Sequence, residues 1–347
     1  MDEIETINTI TIEGKEFKIE KSSGGDLKWL AHVYGINSAN SCYPCIWCTW
    51  NCKEKLDLSI DWSISGRSHA TAEEKLCNKD ERCGYKNEAI FKCIPFNKAV
   101  VDPLHMNLRI TENLINKLIA HLEQLDGNKS IDISKRPMFK LLWDFFEKTC
   151  NITKPFYNKI KENKQSTIKM RTLNSNERLR ILDRMFKTQA FLEILPEKHR
   201  TDETILTLNE ILREFYDIFV FIKKDHTLNF DETSLRKRLK DWLKLYMKIE
   251  SKITPYIHIF VFHVPEFISI YKNLNLHTMQ GLEKLNDVTK NNFFRQTNRK
   301  KNQYTTILLE KANRSEFINL KGEVSEIYNK IKEIEKANQS IQSEKTE

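Results

Sequence analysis

The chain has 347 residues, 40% hydrophobic and 30% charged, enough to bury a full core in one large domain or two ordinary ones. Its 56 Lys+Arg against 48 Asp+Glu leave a surplus of eight positive charges, compatible with a nucleic-acid partner without demanding one. No run of about eighteen apolar residues occurs and the first twenty positions lack a secretory succession, so membrane and export classes are excluded and an intracellular protein is expected.

Nine glycines and eight prolines are few, and long stretches of Leu, Ile, Lys, Glu and Asn predict a mostly helical chain. In residues 8–20, apolar and polar side chains alternate around Glu13-Gly14, which predicts a short β-hairpin. A strand through Lys21-Ser22-Ser23-Gly24-Gly25 then delivers Asp26 to the start of a helix that Gly35 stops.

Seven of the eight cysteines (42, 45, 48, 52, 77, 83 and 93) lie in the next stretch, and such clustering in a reducing compartment points to metal before disulfides. Trp47, Trp50 and Trp62 in the same region are read as braces of a small core. From Asp102 the apolar residues repeat at helical spacing, and similar patterns cover 138–150, 174–193, 202–224 and 234–251. Thr254-Pro255 predicts a helix opening, with Thr as N-cap and Pro at the first helical position, and Pro265 predicts its end near His263. Gly281 precedes a further helix carrying Glu283, and residues 322–347 read as a charged helix fraying into a polar tail.

Cys42-Tyr-Pro-Cys45-Ile-Trp-Cys48-Thr-Trp-Asn-Cys52 offers overlapping C-x2-C pairs, the spacing at which a turn aims two thiolates at one tetrahedral Zn²⁺. No second C-x2-C completes the set, which leaves His258 and His263 in PYIHIFVFHVPE as candidates. A spacing of five puts two helical side chains about 140° apart, so both reach one ion only if the helix breaks between them. The competing reading makes both histidines ordinary members of an apolar helix.

In order and separation these residues resemble the Transib transposases and the catalytic subunit of the vertebrate V(D)J recombinase. Asp26 lies nineteen positions before Cys45-x2-Cys48, and in His258-x4-His263-Val-Pro-Glu the second histidine precedes Glu283 by twenty residues. Gly66-Arg67-Ser68-His69-Ala70, Val101-Asp102-Pro103-Leu104-His105, Glu283-Lys-Leu-Asn286 and Phe293-Phe294-Arg295 echo further segments of the family, so the resemblance spans about residues 15–320. It implies an α/β, RNase H-like core with a large all-helical insertion and a split Cys2His2 zinc site of Cys45, Cys48, His258 and His263. The implied organisation is a partial core (1–37), a Cys-rich segment (38–101), a helical insertion (102–252), zinc-histidine and catalytic-Glu helices (253–321) and the charged tail (322–347).

The reaction implied is DNA cleavage and strand transfer by two Mg²⁺ or Mn²⁺ ions, which carboxylates from distant positions hold. Asp26 and Glu283 correspond to two of these carboxylates, while His105 and Asn286 fall in supporting positions. Beside Glu283, Lys290, Arg295, Arg299, Lys300 and Lys301 form a basic stretch without acids, read as a phosphate-binding surface. The resemblance implies nuclear DNA as partner and leaves room for a homodimer.

The family's first Asp has no counterpart: Asp2, Glu3, Glu5, Glu13, Glu16 and Glu20 precede Asp26, none in the expected setting. The first strands of the core are therefore expected to be missing, and the chain alone is expected to be catalytically incomplete. The rival expectations are a non-catalytic zinc-stabilised DNA-binding or protein-interaction module on the old scaffold, and an unrelated helical zinc protein.

Overall fold

A computed structural model describes residues 7–290, apart from 55, 79–81, 128–131, 133–134, 161–165, 172, 188–189, 286 and 288–289. Two compact units divide it, Met1–Met279 and Gln280–Glu347. In the second, residues 280–285, 287 and 290 are helical and Glu283 is exposed; Gly281 lies within this helix, one residue past its start.

The first unit opens with β1 (Thr9–Ile12) and β2 (Lys15–Lys18), antiparallel, with Ile12 opposite Lys15. Glu13 and Gly14 take positive φ of 49° and 78°, the conformation a two-residue hairpin turn needs. Strand β3 (Ser23–Gly25) runs parallel to β4 (Ala99–Val101), with Gly25 beside Val101. Each of these strands feeds a helix capped by an aspartate: Asp26 caps α1 (Leu27–Val33) and Asp102 caps α3 (Pro103–Leu125). Between them α2 (His69–Cys77) begins at Ser68, whose hydroxyl and that of Thr71 close a reciprocal cap.

Helix α3 presents Met106, Ile110, Leu114, Ile115, Leu118, Ile119 and Leu122 to the core. Against it pack α4 (Pro137–Asp144), α5 (Ser175–Leu182) and α8 (Glu203–Ile222), and α9 (Glu232–Met247) reaches it through Tyr246 Oη on Asn113; α6 (Ala190–Ile194) also falls where the periodicity indicates a helix, whereas the one-turn α7 (Glu197–Arg200), which packs on α8, lies outside those stretches. The expected insertion is not all helical. Strands β5 (Phe156–Ile160) and β6 (Ser166–Met170) form an antiparallel hairpin inside it, in a Lys- and Asn-rich stretch with no turn glycine to announce it.

Helix α10 (Pro255–Phe262) opens as expected: Thr254 Oγ1 accepts from Ile257 N, and Pro255 stands in the first turn. Ile257 through Phe262 are all buried, so the helix is apolar on every side and sits inside the core. Phe260 packs edge-on against both Phe215 and Trp242, with ring centroids 5.2 Å apart in each pair. The helix ends at His263 (φ −109°, ψ −30°), and α11 (Val264–Tyr271) starts at once with Pro265 in its first turn. Arg236 donates to the terminal carbonyl of Phe262 at 3.1 Å, satisfying an acceptor that the break leaves open.

The protein is thus mostly helical, with few small sheets. Among the described residues the sheets are three two-stranded pairs, of which β3–β4 is parallel. The α/β expectation of a wider mixed sheet is corrected to that extent. Strands β1 and β2 pair only with each other and are exposed along their length, and β3 and β4 have three residues each before their helices begin.

Candidate metal centre

The Cys-rich segment folds into a buried knuckle. Cys45, Ile46, Trp47 and Cys48 are all buried, and Cys52 N donates to Cys42 O at 2.8 Å across its base. Arg67, itself buried, holds the knuckle from behind: its Nε donates to Cys45 O (3.1 Å) and Cys48 O (2.9 Å), and Nη2 donates to Cys83 O (2.8 Å). The guanidinium also lies 4.6 Å from the centre of the Tyr85 ring. Gly66 must be small here, because a Cβ would sit 3.2 Å from Trp47 O and 3.3 Å from Cys48 Cα.

Helix α10 brings the other half. Cys45 Sγ lies 3.2 Å from His263 Nε2 and Cys48 Sγ lies 3.2 Å from His258 Nε2, across 218 and 210 residues of sequence. The four ligand atoms all fall within 4.8 Å of one another, and all four residues are buried. The break at His263 makes this possible: the residue that ends α10 also opens α11, so its ring is not held to the 140° offset of a continuous helix. Of the overlapping cysteine pairs, Cys45/Cys48 forms the centre. Cys42 is half-buried outside it, and the Cys52 thiol donates to Ser41 O.

Aromatic rings orient the imidazoles. Trp50 stacks on His258 with centroids 4.2 Å apart and planes 4° from parallel, and Trp47 lies tilted beside His263 at 5.8 Å. The expectation that these tryptophans brace a core holds for Trp47 and Trp50, both buried, and Trp62 meets His258 edge-on at 6.1 Å. Both His Nδ1 atoms are buried without a hydrogen-bond partner among the described residues. Ring contact thus replaces the carboxylate or carbonyl that usually holds a metal-bound histidine. Glu266, on the first turn of α11, accepts from Ser63 Oγ and Ile64 N at 2.9 Å each and ties the far side of the Cys-rich segment to the same helix pair.

The electrostatics favour a dication. Burial raises the Cys45 thiol, but its contacts with Cys48, His263 and His258 outweigh this and hold it well below the usual thiol range. Burial first, then the neighbouring Cys45, pushes Cys48 well above that range. One thiolate forms readily and the second is resisted, because two like charges cannot share a dry pocket without a counter-charge. Burial pushes His258 down to about 4 against the opposing pull of Cys45, so the ring is neutral at pH 7, the form a metal needs. Two soft thiolates and two neutral imidazoles in a closed, buried set suit Zn²⁺ in a structural role.

The other anticipated residues stand as follows. Asp26 is half-buried at the end of β3, where Oδ1 accepts from Trp29 N at 2.7 Å. Leu27 N, next along, donates to Tyr256 Oη at 3.4 Å, two residues before His258, so α10 touches both the metal cluster and the Asp26 turn. His105 turns Nδ1 to Asp102 Oδ2 in a short contact. Glu283 belongs to the second unit, where it and Lys290 are exposed. Asn286, Arg295, Arg299, Lys300 and Lys301 lie outside the described residues, as does the tail 322–347.

The sequence reading missed Asp102 as a hub. It is buried, follows the strand beside that of Asp26, and accepts from Leu104 N, His105 N and Met279 N. Tyr256 is raised to about 12, by burial first and against the hydrogen bond from Leu27, with Asp26 and Asp102 both adding to the rise. The parallel register of two short strands brings these carboxylates side by side, and strands of three residues leave no signal of it in the sequence.

Compared with known proteins, the sequence matches no family model and no curated protein. Fold and site together define a mostly helical protein with a buried Cys2His2 group able to hold a metal. No helix among the described residues is long and apolar enough to cross a membrane.

Proposed function

We propose that this chain is a DDE-type transposase/recombinase-related protein of transposon origin that acts on nuclear DNA. Its structural zinc joins the segment after Asp26 to the helices leading to Glu283. The observation that carries the reading is the convergence of Cys45 and Cys48 with His258 and His263, the four residues the Transib-like resemblance singled out from eight cysteines and nine histidines. In this reading β3, β4 and α1 are the remnant of an RNase H-like core, and the 103–247 helices are its insertion.

By that resemblance Asp26 and Glu283 each correspond to a carboxylate ligand of Mg²⁺ or Mn²⁺, whose chemistry when bound is to activate the attacking oxygen and stabilise the leaving one. The chain's own residues position these groups. Tyr256 receives the N–H next to Asp26 on a helix fixed by zinc, and Asp102 orients the His105 ring. Asn286 and the basic residues Lys290 to Lys301 would meet the DNA backbone beside Glu283.

The second reading is a non-catalytic, zinc-stabilised DNA-binding or protein-interaction module. It is favoured by Asp102, the acid beside Asp26, because protein N–H groups already occupy both its oxygens. Mn²⁺ titration of the zinc-loaded chain, read by electron paramagnetic resonance, separates the two. Wild type should bind Mn²⁺, and Asp26→Asn and Glu283→Gln should each weaken it about tenfold or more. Equal binding by all three proteins would remove the paired-carboxylate site.

A further inference from the structure

A groove of about 760 Å³ opens on the far side of α1, lined by Lys28, His32, Asn37, Asn40, Lys86 and Asn87 among others. Its floor is Ala31, Gly35 and Ile36, all buried, while Lys28, His32, Asn40, Lys86 and Asn87 are exposed. No carboxylate and no Phe, Tyr or Trp side chain lines it. Both walls are fixed to each other: Lys86 N and Asn87 N donate to Gly35 O at 2.7 and 3.1 Å, and Asn37 N donates to Gly84 O at 2.8 Å. Gly35 has φ +64°, and a Cβ there would lie 2.0 Å from Asn87 O, so only glycine lets the walls close to this distance.

We infer that this groove binds the phosphodiester backbone of a nucleic acid, with Lys28 and Lys86 as the charges on its two rims and Asn37, Asn40 and Asn87 as neutral donors between them. Charges of a single sign with amide donors suit a phosphate chain. Base stacking would need exposed Phe, Tyr or Trp rings, which the lining lacks, and its aliphatic members are either buried (Ala31, Ile36) or small (Ala39), which leaves no protruding anchor for a protein partner. A second large groove, between α8 and α9, shows the contrast. Its Arg213, Lys237, Arg238, Lys244 and Lys248 are interleaved with Glu210, Glu214 and Asp241, and Arg238 and Lys244 are already paired to acids. The α1 groove begins two residues after Asp26, so it names a backbone contact for the DNA reading given above and rests on that reading for the choice of DNA.

The test is fluorescence anisotropy of a labelled duplex and a labelled single strand with the full, zinc-loaded chain over a salt series. The double variant Lys28→Glu/Lys86→Glu should bind at least tenfold more weakly, with a salt slope lower by about 1 to 2, while Lys237→Glu/Lys248→Glu, with the same charge change, should alter binding less than about threefold. Lys28→Ala/Lys86→Ala, checked for wild-type zinc content and melting, repeats the comparison with a milder change. Wild-type affinity in the Lys28/Lys86 variants, or equal weakening in both glutamate pairs, would overturn the groove while leaving DNA binding intact. Displacement of DNA by micromolar inorganic phosphate would show a small-anion site and overturn it too. No DNA binding by wild type at all would overturn the groove and the DNA reading together.

Discussion

Cys48 Sγ lies 3.2 Å from His258 Nε2 although 210 residues separate them, so a thiolate from an early loop and an imidazole from a late helix share one buried point. Removing either should release the metal and loosen the join. Cys48→Ser should lose bound zinc and melt on the order of 10 °C lower. Cys52→Ser, at a thiol outside the cluster, should keep full zinc content and near-normal melting. Metal analysis and calorimetry of the two variants check this, and equal loss in both would argue against the Cys45/Cys48 assignment.

Arg67 serves the site without touching the cluster's ligand atoms. Its donors hold the carbonyls of both ligand cysteines and of Cys83, so Arg67→Ala leaves two buried acceptors and one half-buried one open and should cost about 3 kcal/mol. Zinc affinity, measured by competition with a chromophoric chelator, should fall about 10- to 100-fold. Lysine, a point charge without the planar fork, should rescue little.

Acid should open the centre in a defined window. The folded His258 pKa, about 4, lies below its usual 6.5, so between these values the unfolded chain binds a proton that the folded one refuses. The stability this ring contributes is present above about pH 6.5 and is lost as pH falls to about 4, an effect on the order of 3 kcal/mol. Zinc release should fall in or below the same window, since the ion and the proton compete for one nitrogen. Chemical denaturation and zinc release followed from pH 7 to 4 test the sign; a protein that gains stability on acidification over this range would refute it.

The two kinds of carboxylate should behave oppositely on substitution. Asp102→Ala removes the acceptor of three backbone N–H groups and the partner of His105, and should destabilise by about 2–4 kcal/mol. Exposed Glu283→Ala should change melting by less than about 0.5 kcal/mol and leave zinc content intact. Thermal unfolding of both variants at one pH decides it.

Much of the local structure was legible because single residues dictate it. Glu13-Gly14 makes the hairpin turn, Thr254-Pro255 opens α10, and Pro265 ends it where His263 must turn. The helical block followed from apolar spacing along 103–125 and 203–222. The pairing of Cys45/Cys48 with His258/His263 was beyond local spacing and came from the order of motifs across the chain. What stayed hidden depends on contacts between distant residues: Trp50 on His258, Glu266 on Ser63 and Ile64, and Arg67 under the knuckle. Three-residue strands such as β3 and β4 carry no alternation long enough to read, so Asp102 could not be placed beside Asp26 from sequence.

One metal ion is held by two sulfurs and two nitrogens from distant stretches of the chain. X-ray absorption spectroscopy of the zinc-loaded chain addresses it directly. One zinc per chain is expected, with two Zn–S distances of about 2.3 Å and two Zn–N distances of about 2.0–2.1 Å, and His258→Ala should keep both sulfurs and lose one nitrogen. A four-sulfur shell, or a chain purified with no bound zinc and no affinity for it, would contradict it.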